Sequence, residues 1–187
     1  MKLPAKTPAV FLDRDGTLNT EKGYLHDWGD WQWLAGVPQA LSRLQHRGFT
    51  LVVVTNQAGI ARGLYGADEV EALHQKVNQD LSAFGAVIEA FYYCPHHPDF
   101  SGGCDCRKPK AGLLLRAAAD LCLDLNCSFM IGDKLLDIQA GLAAGCQSIL
   151  VRTGYGRSEE KLAPQGVCVI DDLPKAAAYI LRNSNRK

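Results

Sequence analysis

The sequence has no excess of either charge and no long apolar run. Its 20 lysines and arginines balance 20 aspartates and glutamates, so the formal net charge is zero at pH 7. This balance argues against broad electrostatic binding to nucleic acid or to an acidic membrane surface. The richest apolar stretch, residues 112–125, is interrupted by Arg116, Asp120 and Asp124. A membrane-spanning helix needs about 20 predominantly apolar residues, so none is expected.

The sequence also lacks the features of a secreted protein. Residues 1–8 carry two lysines, but no apolar segment of signal-peptide length follows them. Seven cysteines are an odd number, which argues against a complete disulfide framework. We therefore expect a cytoplasmic protein, with a monomer as the default. Four scattered cysteines are predicted to be small buried apolar residues: Cys122, Cys127, Cys146 and Cys168.

The length and the apolar pattern predict one α/β domain over residues 1–187. The predicted strands are 9–12, 51–55, 87–93, 129–131, 148–151 and 167–170. The predicted helices are 38–47, 68–84, 111–121, 135–144 and 174–181. Strands and helices alternate, and the strands are continuously apolar, which indicates a doubly wound, Rossmann-like parallel sheet with helices on both faces. The polar residues 153–165 are expected to form a surface excursion.

Polar side chains follow several predicted strands, at the edge where open α/β sheets bind ligands. Asp13 and Asp15 follow the first strand, Thr55 ends the second, and Asp133 follows the fourth. Alone, the two aspartates are compatible with a capped turn, and the threonine with an ordinary strand end. Together with Lys108, however, they supply metal ligands, a hydroxyl donor and a fixed cation. Phosphoryl transfer requires this combination.

A short polar loop contains three thiols and two imidazoles, from Cys94, His96, His97, Cys104 and Cys106. Three cysteines and one histidine form an accepted structural zinc set, and four protein ligands leave no position for a reactive water. The spacing does not choose between the two histidines, and unligated thiols are the alternative. A zinc module that binds nucleic acid is disfavoured by the neutral charge and the lack of a basic aromatic platform.

Four segments, in this order, resemble the haloacid dehalogenase (HAD) superfamily. They are 11–17 (FLDRDGT), 55–63 (TNQAGIARG), 106–109 (CRKP) and 130–137 (MIGDKLLD). The resemblance implies that Asp13 attacks phosphorus, that Asp15 serves as acid and base, and that Thr55 and Lys108 bind the transferring phosphoryl group. It also implies Mg²⁺ held by Asp13, the backbone carbonyl of Asp15 and Asp133. We expect Asp137 to support this site or to begin a helix rather than to bind the metal.

The cysteine and histidine loop resembles the HAD branch that contains heptose-bisphosphate and histidinol-phosphate phosphatases. The resemblance assigns zinc to Cys94, His96, Cys104 and Cys106. It implies a small phosphorylated sugar, a heptose bisphosphate used for lipopolysaccharide, as the substrate, with histidinol phosphate as the alternative. The expected substrate contacts are Glu21, Lys22, Gly23, Tyr24, Asn56, Gln57, Arg107 and Lys134. No insertion is long enough for a large cap domain, so the cleft is expected to be open.

Overall fold

The computed structural model describes residues 6–184. Its strands are β1 (Ala9–Leu12), β2 (Thr50–Asn56), β3 (Ala90–Cys94), β4 (Phe129–Gly132), β5 (Gln147–Val151) and β6 (Cys168–Ile170). Its helices are α1 (Val37–His46), α2 (Ala67–Ser82), α3 (Pro98–Ser101), α4 (Gly112–Asp120), α5 (Leu135–Ala144), α6 (Gly156–Glu159) and α7 (Leu173–Asn183). In this part of the chain the six strands form one parallel sheet in the order β3-β2-β1-β4-β5-β6.

The first strand shows why both faces of the sheet are apolar. Val10 and Leu12 pack into one cluster with residues of α1, α2 and α7. Ala9 and Phe11 pack into a second cluster with residues of α4 and α5. All four side chains are fully buried. A parallel strand covered by helices on both sides is continuously apolar, which is the pattern that predicted the doubly wound α/β fold. That prediction is confirmed.

The strand order places the end of β1 at the switch point of the sheet, between β2 and β4. Leu12 is in register with Val53 on one side and Ile131 on the other. The backbone N–H of Asp13 donates to the Ile131 carbonyl at 2.9 Å, so the residue after β1 is still held by β4. Ligands bind at such switch points in open α/β sheets. Asp13 therefore begins at the edge where a site is expected.

The predicted strand 87–93 begins too early. Val87 and Ile88 bond through their backbone to the side chains of Gln45 and Asn78, which belong to α1 and α2. These amide side chains take the place of a neighbouring strand, so regular pairing starts only at Ala90. β3 also continues to Cys94, which had been expected to follow the strand.

The excursion predicted for residues 153–165 is more ordered than expected. It contains α6 and a 3₁₀ turn, Glu160–Leu162. Glu159 accepts a hydrogen bond from the backbone N–H of Leu135, and Glu160 pairs with Arg152 at 2.5 Å. These contacts fasten the segment to the start of α5 and to the end of β5.

The scattered cysteines differ in burial. Cys146 is buried as predicted and Cys168 is half-buried, but Cys122 and Cys127 are exposed. The prediction was wrong for the last two because they lie in the turns between α4 and β4 rather than on a packed helix face. Among the helices of residues 6–184, none is both long and apolar enough to cross a bilayer.

Candidate active site

A cavity of about 310 Å³ lies beside the carboxyl ends of β1 and β2. It is lined mainly by charged side chains, amides and aromatic rings. The sequence-predicted residues that line it are Asp13, Asp15, Glu21, Gly23, Tyr24, Thr55, Asn56, Gln57, Arg107, Lys108 and Lys134. Residues that are far apart in the sequence, such as Asp13 and Lys134, thus meet at one edge of the sheet.

One predicted substrate contact lies outside this cavity. Lys22 does not line it, and its ammonium is 3.4 Å from the exposed carboxylate of Asp30. The neighbouring Glu21 accepts a hydrogen bond from the backbone N–H of Gly23, which closes a tight turn. This turn directs Glu21 and Gly23 toward the cavity and Lys22 away from it. The contact of Lys22 with the substrate stays a prediction.

A buried lysine links two carboxylates at the floor of the site. The Lys108 ammonium lies 2.7 Å from Asp13 Oδ1 and 2.6 Å from Asp137 Oδ1, and it donates to the Val54 carbonyl. Burial lowers the pKa of Lys108, but the charges of Asp13 and Asp137 outweigh burial and raise it overall. The lysine therefore stays charged, and it fixes the position of the Asp13 carboxylate.

Asp137 has a supporting position in the structure. Its side chain is fully buried, and Oδ2 accepts from the backbone N–H of Lys134 at the start of α5. Burial and the charge of Asp13 raise the pKa of Asp137 to about 6, against the opposing effect of Lys108. Asp137 thus combines a helix cap with an ion pair that holds the lysine.

Asp133 lies buried just after β4, and one of its two carboxylate oxygens has no partner among the described residues. Oδ2 accepts from the backbone N–H of Tyr155, but Oδ1 has no hydrogen-bond partner within residues 6–184. A Cβ on Gly16 or Gly154 would overlap this carboxylate, so both positions must be glycine for the backbone to approach it. Burial, followed by the charge of Asp13, raises the pKa of Asp133 to about 8.

Three buried aspartates bring carboxylate oxygens close together. Carboxylate oxygens of Asp13, Asp133 and Asp137 lie within 4.8 Å of one another. Hard divalent cations prefer oxygen ligands, and a cation would relieve the repulsion between these carboxylates. Both oxygens of Asp137 are engaged, Oδ1 by Lys108 and Oδ2 by the backbone N–H of Lys134, whereas Lys108 contacts only Oδ1 of Asp13. Asp13 and Asp133 are therefore the two side chains that fit as ligands.

Asp15 is held by donors on several sides. Arg14 donates to it from Nε and Nη2, the latter at 2.8 Å, and the amides of Asn19 and Gln57 donate at 3.0 and 3.2 Å. Arg14 is itself fully buried, and it also donates to the Leu25 carbonyl. The position of Asp15 is therefore set by its neighbours rather than by solvent.

The end of β2 supplies polar groups that organise the cavity wall. Gln57 donates to the Thr55 hydroxyl at 3.0 Å. Asn56 makes two hydrogen bonds at 3.1 Å with the backbone of Lys108, one as donor and one as acceptor. The Asn56 amide is thus engaged in positioning the lysine, although the residue lines the cavity as expected.

Two cations face the outer part of the cavity. The Lys134 ammonium lies 3.1 Å from Glu21 and 4.4 Å from the centre of the Tyr155 ring. Burial lowers the pKa of Lys134, but the carboxylates of Asp133, Glu21 and Asp13 raise it overall, so the residue stays charged. Arg107 lines the cavity and donates to the His96 carbonyl. This hydrogen bond uses only part of its planar guanidinium group, so the rest can bind an anion.

The predicted zinc ligands converge beside the cavity. Ligand atoms of Cys94, His96, Cys104 and Cys106 all lie within 4.8 Å of one another, and the three thiols are free and separated by 3.2 to 3.6 Å. A tetrahedral zinc site with Zn–S bonds of about 2.3 Å has S–S edges of about 3.8 Å. The donor set and its spacing therefore fit zinc. His97 points elsewhere, and its Nε2 is 3.2 Å from an Arg62 nitrogen.

Sequence reasoning missed three residues of the site. Arg14 holds Asp15, Tyr65 lines the cavity and donates to Gln57 at 2.8 Å, and Tyr155 contacts Asp133 and Lys134. Arg14 had a signal, because it stands between the two motif aspartates. No sequence feature indicated Tyr155, because the residues around it have the composition of an ordinary polar loop.

Comparisons with known proteins agree with this geometry. A family model described as HAD-hydrolase-like matches residues 105–176. D-glycero-beta-D-manno-heptose-1,7-bisphosphate 7-phosphatase from Photorhabdus laumondii is 45% identical over 177 residues, covering 90% of this chain and 94% of the relative. The protein of the same name from Escherichia coli K12 is 43% identical, covering 90% and 93%. The chain belongs to the heptose-bisphosphate phosphatase family of the HAD superfamily.

A solved structure extends the comparison to three dimensions. The D,D-heptose 1,7-bisphosphate phosphatase from B. bronchiseptica, complexed with magnesium and phosphate, matches with a TM-score of 0.87 and 38% identity, covering 94% of this chain and 99% of that chain. The predicted superfamily and HAD-type fold are confirmed, and residues 6–184 contain no large cap domain. Because its family consists of phosphatases, the chain is a phosphoric monoester hydrolase.

Proposed function

We propose that this protein removes the 7-phosphate of D-glycero-D-manno-heptose 1,7-bisphosphate through a phosphorylated aspartate, and that it supplies heptose for the lipopolysaccharide core. The observation that carries the proposal is the buried Asp13–Lys108 pair, which lies at the switch point with Arg107 and Lys134 farther out in the same cavity. The inner pair suits one phosphoryl group, and the outer cations suit the second phosphate of a bisphosphate. The names of the relatives support this substrate.

In the first step, a carboxylate oxygen of Asp13 attacks phosphorus and the P–O bond to the sugar breaks. Lys108 balances negative charge at Asp13, and the buried Thr55 hydroxyl donates to a phosphoryl oxygen. The leaving sugar oxygen takes a proton from Asp15. In the second step, Asp15 accepts a proton from water as that water attacks phosphorus, which releases phosphate and regenerates Asp13.

Asp15 has to change its contacts for this role. In the structure both of its carboxylate oxygens accept hydrogen bonds, from Arg14, Asn19 and Gln57. A protonated Asp15 that donates to the leaving oxygen must turn at least one oxygen from these donors toward the cavity. Arg14 and Gln57 then serve to return the ionised form to a fixed position after the proton is transferred.

Magnesium, held by Asp13, Asp133 and the backbone carbonyl of Asp15, would supply positive charge to the phosphoryl oxygens. The unpartnered Asp133 oxygen and the close approach of two glycines support this assignment. The magnesium named with the B. bronchiseptica structure supports it as well.

The substrate assignment can be tested by comparing phosphate release from heptose 1,7-bisphosphate and from histidinol phosphate, with ³¹P NMR identifying which heptose phosphate is lost. We expect a higher kcat/KM for the bisphosphate and loss of the 7-phosphate. Faster turnover of histidinol phosphate would favour the alternative substrate, and loss of the 1-phosphate would contradict the proposed orientation.

Magnesium should stabilise the protein more at pH 8 than at pH 6. In the metal-free protein the folded state holds a proton on Asp133 up to about pH 8, whereas an unfolded aspartate releases it near pH 4. Metal-free stability therefore falls as the pH rises between these values, and magnesium favours the ionised form. About 1 kcal/mol moves Tm by roughly 2 to 4 °C at this chain length, so thermal melting can measure how much more magnesium raises Tm at pH 8 than at pH 6.

The control for this prediction is Asp133→Asn, in which magnesium should raise Tm equally at the two pH values. An equal rise in Tm at both pH values in the unmodified protein would contradict the expectation.

The cysteine and histidine cluster is proposed as a structural zinc site that holds Arg107 and Lys108 in place, because these cations directly follow Cys106. Cys106→Ser should reduce the zinc content from about one ion per chain and lower kcat/KM by about 10²-fold, since small misplacements of positioning groups have such effects. The matched control is Cys122→Ser, which changes an exposed thiol of the α4–β4 turn. Full zinc content in Cys106→Ser, measured by atomic absorption, would contradict the assignment.

A further inference from the structure

Arg62 belongs to the segment that follows β2, but it does not line the catalytic cavity. Its backbone is part of a tight turn, in which the Arg62 N–H donates to the Ala58 carbonyl at 3.2 Å. The same segment is tied to β3, because the Gln57 N–H donates to the Cys94 carbonyl at 2.8 Å. Arg62 therefore extends from a fixed base, and its side chain is on the surface.

The guanidinium of Arg62 contacts two other segments at once. Its carbon lies 4.6 Å from the centre of the Phe100 ring and 5.7 Å from the centre of the Tyr24 ring. Both distances are within the range of cation–π attraction. One of its terminal nitrogens also lies 3.2 Å from His97 Nε2, which must accept because a guanidinium has only donors. The guanidinium of an arginine suits these contacts, because it is planar and always charged.

Of the two segments that Arg62 joins, one lines the cavity and the other continues from the metal-binding cluster. His97 directly follows His96 of the metal-binding cluster, and its ring packs against Phe100 at 5.3 Å. Tyr24 lines the cavity and has a φ of 48°, a conformation that a residue with a side chain rarely adopts. Such a conformation persists where neighbouring groups hold it. Two contacts hold Tyr24 in this way. One is the contact with Arg62, and the other is the hydrogen-bond contact between His26 Nδ1 and the Tyr24 carbonyl at 2.9 Å.

We propose that Arg62 is a positioning residue that joins the Tyr24 segment to the zinc loop across the mouth of the cavity, and so determines recognition of the sugar and its second phosphate. It acts through Tyr24 and through His97 and Phe100 rather than on the transferring phosphoryl group. In a chain whose described residues contain no large cap, this bridge takes over part of the enclosure of the substrate. The role rests on the sugar-bisphosphate phosphatase activity proposed above.

The test compares Arg62→Ala with the unmodified protein on two substrates. For heptose 1,7-bisphosphate we expect KM to rise about five- to tenfold with little change in kcat. For p-nitrophenyl phosphate, which has no sugar and no second phosphate, both constants should stay unchanged. Arg62→Lys keeps the charge but not the planar group, so its KM should fall between the two proteins. Arg43→Ala, which changes an exposed arginine on α1, is the matched control and should have no effect.

Hydrogen exchange supplies a readout that does not depend on the substrate. In Arg62→Ala, the amides of residues 21–26 and 97–101 should both exchange faster, while those of the sheet stay unchanged. If neither segment changes, or if p-nitrophenyl phosphate turnover falls as much as that of the bisphosphate, the proposal is overturned. If both segments exchange faster but the unmodified protein does not hydrolyse the bisphosphate, the bridge is supported and the proposed substrate falls.

Discussion

Asp13→Asn is expected to lower kcat for a sugar bisphosphate by about 10⁴-fold or more, because an amide does not replace a carboxylate as the nucleophile. The fold should survive this change. Lys108 would keep its ion pair with Asp137 at 2.6 Å and its hydrogen bond to the Val54 carbonyl at 2.7 Å. Removing the Asp13 charge also relieves repulsion at Asp133. Phosphate release and thermal melting would measure the two effects separately.

The same variant tests the covalent intermediate. Acid-quenched samples of the unmodified protein should carry phosphate on the peptide that contains Asp13, and samples of Asp13→Asn should carry none. Asp30→Asn is a suitable control, because it changes an exposed carboxylate outside the cavity. Phosphate found on another residue, or kcat of Asp13→Asn within 100-fold of the unmodified protein, would contradict the proposed nucleophile.

The sheet was predictable because its strands are covered on both faces and are therefore continuously apolar. Helix ends were predictable where a residue has one strong local preference, as Gly145 shows with its φ of 89° at the end of α5. The start of β3 was not predictable. There the backbone of Val87 and Ile88 is satisfied by side chains of Gln45 and Asn78, which are distant in sequence.

The candidate site, too, was only partly predictable from the sequence. Asp13, Thr55 and Asp133 were identified because each lies at or just after a strand end, where the topology itself brings side chains together. The position of Lys22 outside the cavity was not predictable, because a local turn, closed by Glu21, decides which of two neighbouring side chains enters the cavity. Tyr155 was missed because its contacts to Asp133 and Lys134 depend on how α6 folds back, which no local pattern encodes.

Lys108→Met should destabilise the fold as well as abolish activity. Lys108 is buried between Asp13 and Asp137, and removal of one partner of a buried ion pair costs about 3 to 5 kcal/mol of unfolding free energy. Lys108 lowers the pKa of Asp137 in the unmodified protein, so without it that pKa rises above about 6. The folded variant then binds a proton that the unfolded chain releases near pH 4, and its stability falls as the pH rises from 5 to 8. Urea unfolding at both pH values, in magnesium-free buffer, would measure this slope.

A double variant separates the structural role of Lys108 from its catalytic role. Lys108→Met with Asp137→Asn removes one of the two buried carboxylates that Lys108 pairs with, so part of the lost stability at pH 8 should return. The pH slope should become shallower than in Lys108→Met, with Asp133 contributing the slope that remains. Activity should not return, because Asp13 would still lack its cation at 2.7 Å. Lys76→Met is the matched control, because it changes an exposed lysine on α2. Recovery of turnover in the double variant would mean that Lys108 serves only to neutralise Asp137, and the phosphoryl-binding role proposed for it would be lost.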